Sequence, residues 1–194
     1  MSRVDVLVVR HPETEANVNG RFVGRGHSPY THEGRRQLRR VPRKIARFEP
    51  DAVFSSPLER AQRLAVVSAR VARVPLVVDE RLVEIDFGEA EGMTFEEVAA
   101  AGMAFNYRDR DRAVAPGGES RRDVESRAAS FLDEIATGGR RVAVVTHGGV
   151  FRAVLVHLLG LASSDIWAFS IHNAQLARVS VVDSHGMLEE YVQG

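Results

Sequence analysis

Val6-Leu7-Val8-Val9-Arg10-His11-Pro12-Glu13-Thr14-Glu15 is the stretch that decides the fold. An apolar, mostly β-branched run ends abruptly in a cation and an imidazole. That pattern reads as a buried strand of a parallel sheet, with Arg10 and His11 at its carboxyl edge. Open α/β sheets bind ligands at that edge. A second run repeats the device: Val142-Ala143-Val144-Val145-Thr146-His147-Gly148-Gly149. If the two strands are neighbours, His11 and His147 face one another over one pocket.

Composition narrows the classes. A chain of 194 residues is long enough for one domain with a substantial core. The formal net charge is zero, so no global basic field recruits nucleic acid or acidic lipid. The absence of cysteine removes disulfides and thiolate metal sites and fits a reducing compartment. No apolar run approaches the roughly 18 residues of a membrane span. A strand begins almost at the first residue, which leaves no room for a signal peptide. The expected setting is cytoplasmic. Lys44 is the only lysine, so arginine supplies nearly all the positive charge.

Working outward, Asn17 to Tyr30 is rich in Asn, Gly, Ser and Pro and reads as a loop carrying Asn17, Arg21 and Arg25. Thr31 caps a helix through about Phe48, which Pro42 should kink or shorten. A short strand at 51–54 stops at Ser55-Ser56-Pro57, and a helix from Leu58 to Ala72 holds Arg60 in its first turn. Leu76-Val77-Val78 is another strand. Residues 79–93 are irregular and acidic, and Thr94 caps a short helix. Residues 103–118 read as a loop or flap, and 119–135 as a helix with an apolar stripe. A helix follows His147, and strands at 174–182 and 187–191 are joined by Asp183-Ser184-His185-Gly186. The expected architecture is an α/β three-layer sandwich with a mostly parallel central sheet and helices on both faces. The expected organisation is one domain, 1–194, with a lid-like insertion around 93–118.

Arg10, His11, Arg60 and His147 all sit just after apolar strands or in a first helical turn. Two arginines and two histidines converging on one pocket form an anion site, and guanidinium forks match phosphoryl oxygens. Backbone N–H groups at the helix starts after Pro57 and Gly148 add to it. A neutral imidazole is a competent nucleophile toward phosphorus and gives a covalent phosphohistidine. Its tautomer must then be fixed by a hydrogen bond from its other nitrogen. The departing alkoxide needs a proton. Glu84 is the best-placed acid, with Glu80, Glu89 and Glu91 as rivals. A lone histidine at a strand end is ordinarily structural; the matched pair, one preceded by arginine, shifts that reading. His27, His32, His157, His172 and His185 read as structural. No His-x-x-x-His pair is present and arginines would oppose a cation, so neither a metal nor a cofactor is expected. A Gly-x-x-x-x-Gly-Lys-Ser loop is also absent.

The chain resembles the histidine phosphatase superfamily, the phosphoglycerate-mutase-like group. Val9-Arg10-His11-Pro12-Glu13-Thr14 is similar to its Arg-His-Gly-Glu signature, which implies that His11 becomes phosphorylated. Asn17, Arg21 and Gly24, then Tyr30 to Gln37, resemble the next block. Ser55-Ser56-Pro57-Leu58-Glu59-Arg60-Ala61 resembles its Ser-Ser-x-Leu-x-Arg-Ala block and makes Arg60 a phosphate-pocket residue. Leu82 to Gly92 resembles the block whose first Glu donates the proton, which selects Glu84. Pro116 to Ser120 and Val145 to Gly149 match the last two. The resemblance implies catalytic roles for His11, Glu84, His147, Arg10 and Arg60, and phosphate binding by Arg10, Asn17, Arg21, Arg60, His147 and Gly148. Pro12 stands where the family has Gly, which removes one N–H donor; Leu64 stands where it has Thr.

The family contains mutases and phosphatases that share the phosphohistidine and differ in what attacks it. The 92–118 stretch is short beside the basic insertion of the mutases. A metal-independent phosphomonoester hydrolase is therefore expected, acting on a small phosphorylated metabolite of sugar phosphate, phosphoglycerate or α-ribazole phosphate type. The alternatives are a cofactor-dependent phosphoglycerate mutase and a non-catalytic phosphate-binding module. Arg108, Arg110 and Arg112 on the lid hint at an acidic substrate. A second copy of the chain is the candidate protein partner.

Overall fold

Strand β1, Arg3–Arg10, alternates its apolar side chains between two faces, as a doubly covered central strand must. Val4, Val6 and Val8 enter one core cluster with Phe131, Leu132, Phe151 and Leu155. Leu7 and Val9 enter the other with Val41, Ile45, Leu64 and Ala65. The computed structural model describes residues 3–135 and 139–194. The elements in order are β1, α1 (Glu15–Val18), α2 (His32–Arg47), β2 (Ala52–Ser55), α3 (Glu59–Ala72), β3 (Leu76–Val78), α4 (Phe95–Ala100), α5 (Arg121–Ile135), β4 (Arg141–Thr146), α6 (Gly148–Leu158), β5 (Gln175–Val182) and β6 (His185–Gln193).

One sheet has the order β3-β2-β4-β1-β5-β6. The first four strands run parallel, and β5 and β6 close one edge antiparallel. α5 and α6 cover the first core face, α2 and α3 the second. The three-layer sandwich read from the sequence is therefore the architecture found. β1 and β4 are direct neighbours, with Arg10 opposite Thr146. That register sets His11 beside His147 at the carboxyl edge.

Three local readings change. Pro42 neither ends nor shortens α2, which continues for 16 residues. Pro42 is buried on the helix face that carries Val41 and Ile45, so packing outweighs one missing backbone hydrogen bond. The β5–β6 connection is only Asp183-Ser184, both with positive φ (47° and 67°), and His185 and Gly186 already belong to β6. Such a pair suits the right-handed twist of a tight hairpin. Thr94 caps α4 as read, but the loop or flap read over 103–118 is tied down, by Asn106 N–H to the Val114 carbonyl (2.8 Å) and Val114 N–H to the Glu119 carbonyl (2.9 Å).

The loop that follows His11 is buttressed by the start of α2. Thr31 Oγ1 accepts from Gly34 N–H (2.9 Å) and donates to Glu13 (2.6 Å), while Glu13 N–H donates to Gln37 (2.8 Å). Gly34 permits this approach, since a Cβ there would lie 1.9 Å from the Glu13 carbonyl oxygen. The neighbour is backbone and cannot yield cheaply. Gly34→Ala is expected to destabilise by about 2–3 kcal/mol, read as a fall of about 1 M in the urea midpoint. An unchanged midpoint would show that the loop can move aside.

Candidate active site

His11 is held from both sides. Its N–H donates to the Thr146 carbonyl (2.9 Å), and its own carbonyl accepts from Ala174 N–H (3.1 Å). His11 Nδ1 lies 2.7 Å from the Pro12 carbonyl. A carbonyl only accepts, so the proton sits on Nδ1 and Nε2 carries the free lone pair. Pro12 has lost its N–H, yet its carbonyl still orients the ring. Burial holds His11 well below the usual histidine range of 6.5, and Arg60 and Arg10 add to that. The ring is therefore neutral near neutral pH.

His147 is fully buried, and its ring centroid is 5.2 Å from that of His11. Its Nε2 is 2.8 Å from Ser56 Oγ, and Nδ1 is buried without a protein partner. Ser56 Oγ accepts from Leu58 N–H (3.2 Å), and among the described residues His147 Nε2 is the one acceptor that its buried hydroxyl proton reaches, so the hydroxyl donates to Nε2. The same tautomer results, with the proton on Nδ1. Burial again pushes this imidazole well below 6.5, followed by Arg60 and His11.

Arg10 ends β1, and its Nη1 donates to the Ile171 carbonyl (2.8 Å), while Nε is buried and unpartnered. Arg60, in the first turn of α3, donates to the carbonyls of Gly26 (2.8 Å), Val23 (3.1 Å) and Gly24 (2.6 Å). That carbonyl loop is shaped by Glu91, which accepts from Gly24 N–H (2.9 Å) and Gly26 N–H (3.0 Å). Asn17 Oδ1 accepts from Thr14 N–H (3.1 Å), Thr14 Oγ1 (2.9 Å) and Asn173 Nδ2 (2.9 Å). Its amide nitrogen is left to donate.

Glu84 is buried at the start of α6. Its Oε1 accepts from Ile85 N–H (3.0 Å) and Gly149 N–H (3.1 Å). Thr146 Oγ1 donates to the Leu82 carbonyl (2.8 Å), which ties the Glu84 loop to the end of β4. Glu84 raises the charged form of both Arg10 and Arg60, against their burial. Gly149 is needed here, because a Cβ would come within 2.6 Å of Glu84 Oε1.

Arg21 is half exposed and forks onto Glu97 (2.9 Å) and the Gly92 carbonyl (2.6 Å), which ties it to α4. In the 103–118 stretch, Arg110 is paired with Glu125 (2.7 Å) and Arg112 with Asp109 (3.5 Å). The contacts of Ser56, Glu91 and the 171–173 loop were not found from sequence, because they span long separations: Ser56 was read as part of a turn and a family block, and Glu91 as a rival acid. Leu64 is fully buried in the core, as its place on the apolar face of α3 requires. Among the described residues, no cluster of three or more His, Asp or Glu is arranged to hold a metal ion.

Fold and cluster together define a histidine- and arginine-based anion site at the parallel edge of a three-layer α/β sandwich. The family model of the histidine phosphatase superfamily (branch 1) matches residues 6–193, and the chain belongs to that family. It is similar to the metal-independent phosphoserine phosphatase of Arabidopsis thaliana, 31% identical over 195 residues, covering 96% of this chain and 80% of that one. It is also similar to glucosyl-3-phosphoglycerate phosphatase of Mycolicibacterium vanbaalenii, 34% identical over 167 residues, covering 80% of this chain and 74% of that one. The solved structure of the mycobacterial glucosyl-3-phosphoglycerate phosphatase complexed with VO3 superposes with a TM-score of 0.87 at 26% identity, covering 98% of this chain and 99% of that one.

Because both imidazoles are held below 6.5, they take up a proton only at acidities well beyond that value. In phosphate-free buffer at pH 6, ¹⁵N NMR is expected to show both rings neutral with the proton on Nδ1. His11→Gln and His147→Gln assign the resonances. A ring that titrates at or above 6.5 would contradict the electrostatics described here.

Proposed function

We propose that the chain hydrolyses a small phosphomonoester through a phosphohistidine on His11, without a metal. The observation that carries this reading is the state of His11: buried, neutral, and tied through Nδ1 to the Pro12 carbonyl at 2.7 Å, with Nε2 free. The phosphoryl oxygens are held by Arg10 Nε, Arg60, Asn17 Nδ2 and His147 Nδ1, with the Gly148 N–H at the start of α6. His11 Nε2 attacks phosphorus as the bond to the ester oxygen breaks. Glu84 delivers a proton to the departing alkoxide. Glu84, now a carboxylate, takes a proton from water, whose oxygen attacks phosphorus. The P–N bond breaks, and inorganic phosphate and neutral His11 are released. The guanidinium groups neutralise the charge on the transferring group, which is the work a metal ion does elsewhere.

Substrates of the class hydrolysed by the relatives, phosphoserine and glucosyl-3-phosphoglycerate, fit this reading, because each joins a phosphate to a small polar alcohol. The cytoplasm, where such phosphorylated intermediates are held, is the setting it assigns.

The test is phosphate release from p-nitrophenyl phosphate and O-phosphoserine in EDTA. The wild-type chain is expected to turn over both, and His11→Ala to lose at least about 10³-fold. Residual activity above a few per cent would remove His11 as nucleophile. Quench of the wild-type reaction in alkaline detergent should trap a base-stable, acid-labile phosphoprotein that is absent in His11→Ala.

Glu84→Gln separates the acid from the nucleophile. Nitrophenolate leaves without help, whereas serine alkoxide does not. The variant should therefore lose about 10²-fold or more on phosphoserine and clearly less on the nitrophenyl ester. Equal losses would show that Glu84 does not protonate the leaving group.

A further inference from the structure

A narrow cavity of about 20 Å³ opens beside the phosphoryl site. Gly149 and Ile85 form the wall it shares with that site, and both donate their N–H to Glu84. It therefore borders the residues that hold Glu84. Arg121, Arg152, Tyr107 and Trp167 line the rest.

Arg121 stands in an unusual position. It is only 8% exposed, and its Nε and Nη1 are buried with no hydrogen-bond partner. It occupies the first turn of α5, where the helix dipole opposes a cation. A buried, unpaired guanidinium there is costly unless a ligand supplies the counter-charge. Among the described residues, neither Arg121 nor Arg152 forms an ion pair. The carboxylate that lines the same cavity, Glu125, is committed elsewhere: Oε2 accepts from Arg110 (2.7 Å) and Oε1 from Ser163 (2.6 Å). Both arginines instead lie over the Trp167 ring, at 5.6 Å and 5.5 Å. That stacking fixes their planes and leaves their N–H edges to a ligand. Arg152 Nε reaches the Phe169 carbonyl (3.3 Å), which anchors its stem. Burial keeps the Tyr107 hydroxyl above its ordinary range, so it remains a neutral donor.

We propose that Arg121, Arg152 and Tyr107 form a second anion subsite that holds a carboxylate of the leaving group. The substrate class is then a phosphomonoester whose alcohol bears a carboxylate within a few bonds of the ester oxygen. The role that the sequence suggested for the lid arginines passes to these two. The inference rests on the phosphatase reading.

O-phosphoserine and O-phosphoethanolamine differ only in the carboxylate, so their kcat/KM ratio reads the subsite. The wild-type chain is expected to favour phosphoserine by about tenfold or more, as a charge-assisted hydrogen-bonded pair implies. Arg121→Met should bring the ratio near one, and Arg121→Lys should restore part of it. Trp167 is the sole tryptophan, so its emission reports occupancy without turnover. In the His11→Ala chain, phosphoserine should shift that emission at lower concentration than phosphoethanolamine. A wild-type ratio near one, or a ratio unchanged by Arg121→Met, overturns the subsite. If Arg121→Met fails to fold by circular dichroism, Arg152→Met supplies the same comparison. If no phosphoester is hydrolysed, the phosphatase reading falls, and the emission titration still decides whether the carboxylate is recognised.

Discussion

The in-register parallel pairing of β1 with β4 is the constraint from which the site follows. Arg10 opposite Thr146 leaves His11 and His147 as the next residues off the sheet, at one edge and side by side. Nothing later in the chain has to bring them together. The remaining elements fix what surrounds the pair. β2, on the other side of β4, ends at Ser55 and delivers Ser56 to His147. The α6 start, immediately after His147, presents the Gly149 N–H that holds Glu84.

Collecting these groups creates an electrostatic problem that the protein answers with carbonyls. Two buried guanidinium groups beside two imidazoles cannot all be charged at low cost. Burial and the arginines together keep both histidines neutral. Arg60 is solvated by three backbone carbonyls in place of water, and Arg10 by one from the 171–173 loop. Carbonyl dipoles stabilise a cation without cancelling its charge. The field that remains is therefore available to an arriving dianion. A carboxylate partner at the same place would have stabilised the empty site more and bound phosphate less. Glu91 shows the economy of this arrangement. It grips the N–H groups of the 24–26 loop, whose carbonyls in turn face Arg60, and its charge also favours the Arg60 cation directly.

Much of this was legible in the sequence, for definite physical reasons. A strand that alternates between two buried faces and stops at a charged residue leaves few places for that residue except the sheet edge, so Arg10, His11 and His147 could be read directly. Arg60 followed from the turn at Ser55-Ser56-Pro57. Glu84 did not stand out from its rivals by spacing alone and was selected by family resemblance. The partner of Arg21 could not be read: Glu97, far along the chain, pairs with it. Pro42 has a strong local propensity that a buried helix face overrides. Arg121 carried no motif at all. Its meaning lies in partners it lacks, and a missing partner can be recognised only once every neighbour has a position.

The two anion-seeking regions differ in how their cations are kept. Arg10 and Arg60 are locked by carbonyls on loops that the sheet edge itself positions, so the phosphoryl pocket is built into the strand order. Arg121 and Arg152 rest on Trp167, a half-exposed aromatic in the segment between α6 and β5. A sheet register changes only by moving every side chain of a strand to the opposite face. A surface aromatic and the arginines stacked on it can be exchanged with little consequence for the core. Chemistry that any phosphomonoester needs is thus placed on the rigid part of the fold. Selection of the alcohol is placed on α5, α6 and the 163–173 segment, where sequence can vary without disturbing His11.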